Sequence, residues 1–333
     1  MTHASGYFYL KSMKKGPCQP NSWRWELLTL AMLAAPLALY AQAPPLTGTV
    51  VEAGTGKPIP FAIIELPARH LGVQATEAGT FVLTLPASPN PTDSLRVTSL
   101  GFAPRMLALP KTTPYQLELT ALAIPLTEVM VRPSTTKPVR LGPEEDGDRF
   151  GFGNGKIQAM GSSGWQIARK FTDGPAGTIQ AVLFYVRPNV NCSRQSVQAP
   201  FRVRVYAADG PGRMPGTDLL ITSVLTAATK KGWHEVDLTK FQLRTPDAGF
   251  YVAMEWLYIS DTFGCEYTAT MQATKEKRTN YSYGQTLGGY IDEALPATWY
   301  LTAGHVWQQI PRRELPGNRI NRNAAIQAVI QPD

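Results

Sequence analysis

Short runs of alternating apolar and polar residues, separated by turn-forming residues, most constrain the fold of this chain. FVLTL at 81–85 places its Phe and both Leu on one side of an extended strand, and YQLELT at 115–120 repeats the pattern. Gly, Pro, Thr and Lys lie between such runs, as in AGTGKP at 53–58. This two-residue period predicts strands that bury one face. We expect about seven strands in the range 46–132, without an amphipathic helix, and therefore a small β-sandwich.

The first 43 residues have the three parts of a secretory signal. The basic part contains Lys11, Lys14, Lys15 and Arg24. An apolar run of 14 residues follows at 27–40 and is shorter than the roughly 20 residues that a membrane-spanning helix needs. Ala41-Gln42-Ala43 supplies a small-x-small cleavage site. We therefore expect cleavage after Ala43, no membrane-spanning segment afterwards, and export to the periplasm, the outer membrane or the medium, with an uncleaved anchor as the alternative.

Export changes the charge of the chain. Without residues 1–43, Lys plus Arg fall from 32 to 28 and Asp plus Glu from 25 to 24, so the formal net charge falls from +7 to +4. Nucleic-acid binding requires basic residues concentrated in a patch. The nearest such group is Arg312, Arg313, Arg319 and Arg322. We interpret it as a solvated segment and predict no nucleic-acid partner.

Four motifs in register carry a family resemblance in the first half. They lie at Gly48, at 56–62 (GKPIPFA), at 77–81 (EAGTF) and at 99–102 (SLGF). Together they resemble the carboxypeptidase regulatory-like domain, a transthyretin-like β-sandwich, over residues 46–132. The resemblance implies a structural or docking module.

The same module also follows the catalytic domains of zinc carboxypeptidases. Those enzymes hold zinc through an H-x-x-E pair and a distant His, because catalytic zinc uses three protein ligands and one open position. In this chain LGV follows His70, EVD follows His234 and VWQ follows His305, so the pair is absent. We expect the module without the peptidase, and we predict no metal and no cofactor.

The second half predicts another sheet-rich unit. Eight or nine apolar runs between 161 and 333, separated by loops, favour a two-sheet jelly roll. The runs TIQAVLFYV, FRVRVYA and GWHEVDL resemble strands of jelly-roll modules in secreted adhesins and carbohydrate-binding proteins. The polar stretch 133–160 is interpreted as a linker, with EEDGD at 144–148 solvated and FGFGNGK at 150–156 flexible. The predicted fold is all-β, with two sandwiches.

Cys192 and Cys265 are the two cysteines left after cleavage. In an oxidising compartment they predict a disulfide. Two free, buried thiols are the alternative.

Glu255, in the apolar run YVAMEWLY, is the carboxylate most suited to catalysis, because burial would raise its pKa. A glycosidase needs two carboxyl groups at a defined separation, and Glu266 or Asp261 are the candidates for the second. A single strand glutamate bonded to a neighbour is the alternative interpretation.

A polar, Gly-rich segment from Thr279 to Trp299 is the predicted binding surface, placed at an edge or end loop of the second sandwich. Its candidate ligand-binding residues are Tyr281, Tyr283, Tyr290 and Trp299. Glycines 284, 288 and 289 would let a partner approach the backbone. A hairpin that packs its own tyrosines would look similar.

The predicted function is therefore that of a non-enzymatic envelope or secreted protein that binds a surface glycan or an envelope protein. An extracellular hydrolase with carboxylates on the second sandwich is the alternative. No catalytic residue is assigned.

Overall fold

The structure is a computed structural model, and residues 42–333 form one compact unit. It describes residues 44–85, 90, 92–109, 114–122, 136–155, 165–192, 194–270, 275–292, 295–302, 304–315 and 318–333. The predicted signal and the predicted end of the first sandwich near residue 132 lie outside these ranges.

The described chain is all-β, as predicted from the two-residue periodicity, and its helical segments are single 3-10 turns. These turns are Pro67–Arg69, Arg194–Gln198, Pro211–Arg213, Thr239–Phe241 and Asp261–Phe263. No described helix has the length and apolar character that crossing a membrane requires.

Within the described ranges, the first sandwich has seven strands in two sheets. They are β1 Leu46–Glu52, β2 Ile63–Leu66, β3 Leu71–Gln74, β4 Thr80–Leu83, β5 Ser94–Thr98, β6 Arg105–Ala108 and β7 Tyr115–Leu119. One sheet has the order β4-β1-β7, with β1 parallel to β7, and the other has the order β3-β2-β5-β6. Alternate residues such as Phe81 and Leu83 of β4 point into the core between the sheets, which confirms the predicted register.

Sixteen strands of the second sandwich lie in the part of the chain that the structure describes. They are β8 Val139–Leu141, β9 Phe150–Gly155, β10 Gln166–Phe171, β11 Gly177–Arg187, β12 Phe201–Ala207, β13 Val224–Thr226, β14 Gly232–Asp237, β15 Leu243–Arg244, β16 Phe250–Trp256, β17 Gly264–Thr270, β18 Lys277–Asp292, β19 Thr298–Leu301, β20 Gln308–Gln309, β21 Arg313–Leu315, β22 Asn318–Ala324 and β23 Ile326–Pro332.

Two antiparallel sheets build this sandwich. The six-stranded sheet has the order β13-β12-β16-β10-β19-β20. The ten-stranded sheet runs β21-β22-β18-β11-β23-β8, with β9, β14, β15 and β17 pairing alongside. Their inner faces enclose a core in which Phe184, Phe201 and Trp256 are fully buried.

Within the predicted linker 133–160, the described residues include two strands that pair with the second sandwich. β8 pairs with β23 and β9 pairs with β18, so 150–155 is a sheet strand and not a flexible entry. Asp148 is exposed, as predicted, and it also accepts hydrogen bonds from Tyr185 and Lys231 and forms an ion pair with Arg187. Sheet pairing with distant strands supplies these partners, and local composition does not reveal them.

The arginine-rich segment near the C-terminus is solvated at Arg312, Arg313 and Arg322, as predicted, and it also takes part in a sheet. Its residues contribute to β21 and β22, which pair with each other, while β22 also pairs with β18. Short edge strands of this kind raise the strand count above the eight or nine expected, because they obtain their hydrogen bonds from a neighbour and need little apolar sequence of their own.

The two sandwiches contact each other through the outer faces of two sheets. The backbone N–H of Gly304, in the β19–β20 hairpin, donates to Oε1 of Glu65 on β2 at 2.7 Å. The N–H of Tyr258 donates to Oε1 of Gln74 at 3.0 Å. The rings of His70 and His305 stack with centroids 4.5 Å apart. The six-stranded sheet therefore faces the sheet β3-β2-β5-β6 of the first sandwich.

Candidate functional site

A cavity of about 700 Å³ lies between the two sandwiches. Its first wall is the outer face of β2 and β5 with the loop that follows β5, and includes Phe61, Glu65, Arg96 and Phe102. The second wall is the outer face of the six-stranded sheet with the segment 215–221 and the β19–β20 hairpin. Clefts of this size at the contact between two folded units are common ligand sites.

Three polar side chains form a row across the floor of the cavity. Glu255 on β16 is opposite Gln166 on β10 and opposite Arg202 on β12. Side chains along a strand alternate between faces, so Glu255 points outward while its neighbours Met254 and Trp256 enter the core. Every residue of β16 is nevertheless buried. Trp299 and Trp307 of the second sandwich pack on the cluster that contains Tyr251 and Ala253, and Glu255 faces the cavity.

Glu255 is held between two arginines. Its Oε2 atom lies 3.4 Å from Nη1 of Arg202 and 3.0 Å from Nη1 of Arg204. Arg204 also donates to Oδ1 of Asp218 at 2.7 Å. Glu255 retains 1% of its exposure and Arg202 3%. The network keeps two cations and two anions together in an environment where an unpaired charge would be strongly unfavourable.

Burial shifts the ionisation of this network. It lowers the pKa of Arg202, and the attraction of Glu255 opposes that shift. Burial likewise raises the pKa of the Asp218 carboxyl, against the attraction of Arg204. The attraction of Arg204 favours the ionised form of Asp218.

Some polar atoms of the row have no partner within the described ranges. Both arginines contact Oε2 of Glu255, and no described group donates to its Oε1. Gln166 accepts from the Tyr206 hydroxyl through Oε1, while its Nε2 makes no bond to a described residue. Nη2 of Arg202 likewise makes no hydrogen bond to a described residue. One acceptor and two donors of buried side chains therefore face the cavity.

Aromatic rings form the apolar part of the lining. The Trp307 ring meets the Tyr206 ring edge-on at 5.6 Å, and the Arg202 guanidinium lies 5.9 Å from the centre of the Phe61 ring. Phe61 has a backbone φ of 57°, in the left-handed region that a bulky residue rarely adopts. Such strained positions concentrate at functional sites. The cavity combines ring faces with polar groups, which is the lining expected for an amphipathic ligand.

The predicted binding surface at 279–299 is wrong in its placement. Residues 277–292 form β18, which pairs with β11, β22, β9 and β17 inside the ten-stranded sheet. Tyr283 is fully buried, and its hydroxyl accepts a hydrogen bond from the Ile259 N–H at 2.9 Å. Tyr290 is buried against the Arg169 guanidinium. The alternative, a hairpin that packs its own tyrosines, describes these two residues better.

The glycines of this segment allow other parts of the same chain, and not a partner, to come close to its backbone. A Cβ atom on Gly288 would lie 2.4 Å from the carbonyl oxygen of Gly147, and one on Gly289 would lie 2.5 Å from the Phe150 ring. β9 and the segment before it therefore require glycine on β18.

Tyr281 and Trp299 remain partly exposed but do not line the cavity. Tyr281 lies with Tyr267 and Asn191 in a surface groove of about 430 Å³ beside the disulfide. Trp299 packs edge-on against Tyr251 at 6.1 Å, farther along the outer face of the six-stranded sheet. The four predicted residues therefore do not form one site.

The predicted carboxylate pairs are not brought together. Glu266 is exposed on β17, and the Asp261 carboxylate accepts from the Tyr258 and Tyr281 hydroxyls. Neither lines the cavity that contains Glu255. The interpretation of Glu255 as a strand glutamate bonded to its neighbours describes the observed geometry. Within the described ranges, no group of three His, Cys, Asp or Glu side chains is arranged to hold a metal ion.

The predicted disulfide between Cys192 and Cys265 is confirmed. It joins the segment after β11 to the start of β17, across 73 positions of sequence.

The sequence interpretation missed Gln166, Arg202, Arg204 and Trp307. A signal was present in FRVRVYA, where two arginines alternate with valines in a strand, and in YVAMEWLY, where one glutamate interrupts an apolar run. Charged residues of opposite sign on strands with this alternation would pair if the strands were neighbours. Knowledge of that strand order was required.

Comparison of the chain with models of known protein families gave no match. A search of curated proteins also found no significant relative.

Proposed function

We propose that this chain is a non-enzymatic, exported protein of the cell envelope or the medium that binds part of a glycan between its two sandwiches. The observation that carries the proposal is the cavity floor. There, unpartnered polar atoms on Glu255, Arg202 and Gln166 lie among aromatic rings.

Sugars match this combination of groups. A hydroxyl group both donates and accepts, so one sugar ring can satisfy a carboxylate oxygen and a guanidinium N–H together. The C–H face of the same sugar ring packs on an aromatic side chain. A contact between two aromatic rings contributes about 0.5–1.5 kcal/mol beyond the area it buries, and we take this value as the scale for a contact between a sugar and a ring. A protein partner would need a protruding segment to enter the cavity and is the less suitable ligand.

The first sandwich has two roles in this proposal. Its resemblance to the carboxypeptidase regulatory-like domain suggests a stable module, and its outer face supplies Phe61 and Phe102 to the cavity. We include the export signal and the cleavage after Ala43 in the proposal. N-terminal sequencing of the protein from envelope and medium fractions tests this part, and intact Leu30 in the purified protein would contradict it.

Hydrolysis is the second candidate function, and one observation favours it. Glu255 and Asp218 contact the same Arg204 guanidinium in the cavity, and burial raises the pKa of Asp218 toward that of a proton donor. Binding is preferred because both carboxylates already accept from arginine. A general acid must instead present its proton to the leaving oxygen.

The test uses the chain from Pro44 onward and a panel of soluble oligosaccharides. Titration calorimetry should detect binding to at least one of them, and product analysis should detect no cleavage. Trp307→Ala should weaken binding by about tenfold, because it removes a ring from the lining. Trp299→Ala, on the same hairpin but outside the cavity, is the matched control and should bind as the parent does.

Failure of every oligosaccharide to bind would contradict the proposed function. Cleavage that disappears in Glu255→Gln, with the melting temperature retained, would favour the hydrolase.

A further inference from the structure

We infer that the ligand of the inter-sandwich cavity is a neutral saccharide, and not a uronate, sulfated or phosphorylated sugar. The inference rests on the proposed function and specifies the ligand class. Its basis is the balance of charge in the cavity and the chemistry of the atoms left for a ligand.

The charged groups that line the cavity cancel. Among the described lining residues, three arginines, Arg96, Arg202 and Arg204, face three carboxylates, Glu65, Asp218 and Glu255, and none is a lysine or histidine. The formal charges of these described residues therefore sum to zero.

Each arginine is also already paired. Arg96 lies 3.3 Å from Glu65 across β5 and β2, Arg202 lies 3.4 Å from Glu255, and Arg204 lies 2.7 Å from Asp218. An anionic ligand could accept from Nη2 of Arg202 without breaking an ion pair, but it would bring a second negative charge beside the buried Glu255 carboxylate. The described lining holds no spare cation to balance that charge, which is unfavourable.

The hydrogen-bonding atoms left without a partner also favour a hydroxyl group on the ligand over an anionic group. Oε1 of Glu255 is an acceptor and needs a donor from the ligand, and a carboxylate or sulfate has none. Nη2 of Arg202 and Nε2 of Gln166 are donors and need acceptors. Glu255 is adjacent to both residues in the strand register, so the acceptor lies between the donors. Neighbouring hydroxyl groups of one sugar can satisfy all three.

Because the three side chains of the row are buried, a ligand that touches only the outer surface of the protein cannot reach them. Gln166 retains 5% of its exposure, Arg202 3% and Glu255 1%. A ligand that reaches these atoms must enter between the sandwiches and displace water from the floor. Hydroxyl groups on the ligand replace the hydrogen bonds of that water, which is a requirement for retained affinity.

The experiment compares matched neutral and acidic oligosaccharides. Glucan and glucuronan oligomers of the same linkage and length differ only by a carboxylate in place of a hydroxymethyl group, and oligomers of galactose and of galacturonic acid with one shared linkage form a second pair. Titration calorimetry on the chain from Pro44 onward should show binding to at least one neutral member. Its acidic counterpart should bind at least about tenfold more weakly, because a buried charge without a partner is costly.

Glu255→Gln tests the charge argument within the same site. The substitution gives the lining a surplus positive charge and leaves an amide in place of the free acceptor. It should weaken binding of the neutral oligosaccharide, and it should reduce or reverse the preference of the site for that oligosaccharide over its acidic counterpart. Thermal melting checks that the variant folds. If it does not, Trp307→Ala and the control Trp299→Ala still locate the binding in the cavity.

The outcomes separate the inference from the proposed function. Tighter binding of the acidic oligomers overturns the inference and leaves glycan binding in place. Neutral binding that Trp307→Ala does not weaken overturns the inference, since the ligand then lies elsewhere. Absence of binding to either class overturns the proposed function itself.

Discussion

At the scale of single residues, the pairing of Arg204 with two carboxylates makes this side chain critical for stability. Its guanidinium contacts both Glu255 and Asp218, and replacement by an apolar residue leaves them with a single nearby arginine, Arg202. Breaking a buried ion pair by removing one partner typically costs about 3–5 kcal/mol.

We therefore predict that Arg204→Met lowers the free energy of unfolding by roughly 3 kcal/mol, measured by denaturant unfolding. Arg244→Met is the control, because Arg244 also pairs with a carboxylate, that of Asp333, but both side chains are more than half exposed. The control should change stability far less. Equal effects of the two substitutions would contradict the role of burial.

His234 gives a prediction about pH. Its ring forms a hydrogen bond with the Thr226 hydroxyl at 2.7 Å, and partial burial lowers its pKa from the ordinary 6.5. The folded state therefore binds this proton less readily than the unfolded state. Stability from the neutral ring is complete above about pH 6.5 and decreases as the pH falls through the lower, folded-state pKa.

Chemical unfolding at pH 7.5 and pH 5 should show a smaller loss of stability for His234→Gln than for the parent, because the variant lacks this titration. Identical losses in the two proteins would exclude His234 as a contributor.

At the scale of elements, β18 is the strand that organises the ten-stranded sheet. It pairs with four other strands and carries glycines where the chain approaches it most closely. At Gly288 the nearest atoms are the Gly147 carbonyl oxygen and the Tyr185 ring, so a methyl group has no space.

We predict that Gly288→Ala lowers the free energy of unfolding by about 1–3 kcal/mol, the usual range for overpacking. Gly153→Ala, on the neighbouring β9, is the matched control, because its nearest contact would be 3.7 Å away. In denaturant unfolding, the control should have a free energy of unfolding close to that of the parent. A destabilised control with an unaffected Gly288→Ala would contradict the close approach as the reason for glycine.

At the scale of the whole molecule, the contact between the sandwiches holds the walls of the cavity together. Gly304 is central to it, with a φ of 73° and the His70 backbone within 3 Å of where a Cβ would lie. All five tryptophans of residues 44–333 belong to the second sandwich, so the tryptophan signal originates in that sandwich.

We predict that fluorescence and far-UV circular dichroism give one coincident thermal transition for the parent and separate transitions for Gly304→Ala. The reason is that a Cβ at this position pushes the hairpin away from the first sandwich. Gly212→Ala is the control, since it has a similar φ of 64° but open space around it. Its two signals should stay coincident. Coincident curves in Gly304→Ala would show that this contact does not couple the sandwiches.

Elements that are determined by their own local sequence were predictable. Features that depend on contacts with residues distant in the sequence were not. The alternation in FVLTL predicted a strand with one buried face, and that is what β4 is. The segment 279–299 was misplaced because its tyrosines and glycines are equally suited to a binding loop and to a strand that packs tightly on its own sheet. Tyr283 and Gly288 differ from exposed binding residues only in what covers them.

The sequence by itself determined the all-β class, the inward face of most strands and the pairing of Cys192 with Cys265. These follow from backbone geometry, in which neighbouring side chains point to opposite faces, and from the presence of two cysteines in residues 44–333. Only the tertiary structure decided what covers the outward faces. Glu255 meets Arg202 and Glu65 meets Gly304 across separations of 53 and 239 positions, and such contacts depend on strand order and sandwich packing, which a local pattern does not encode.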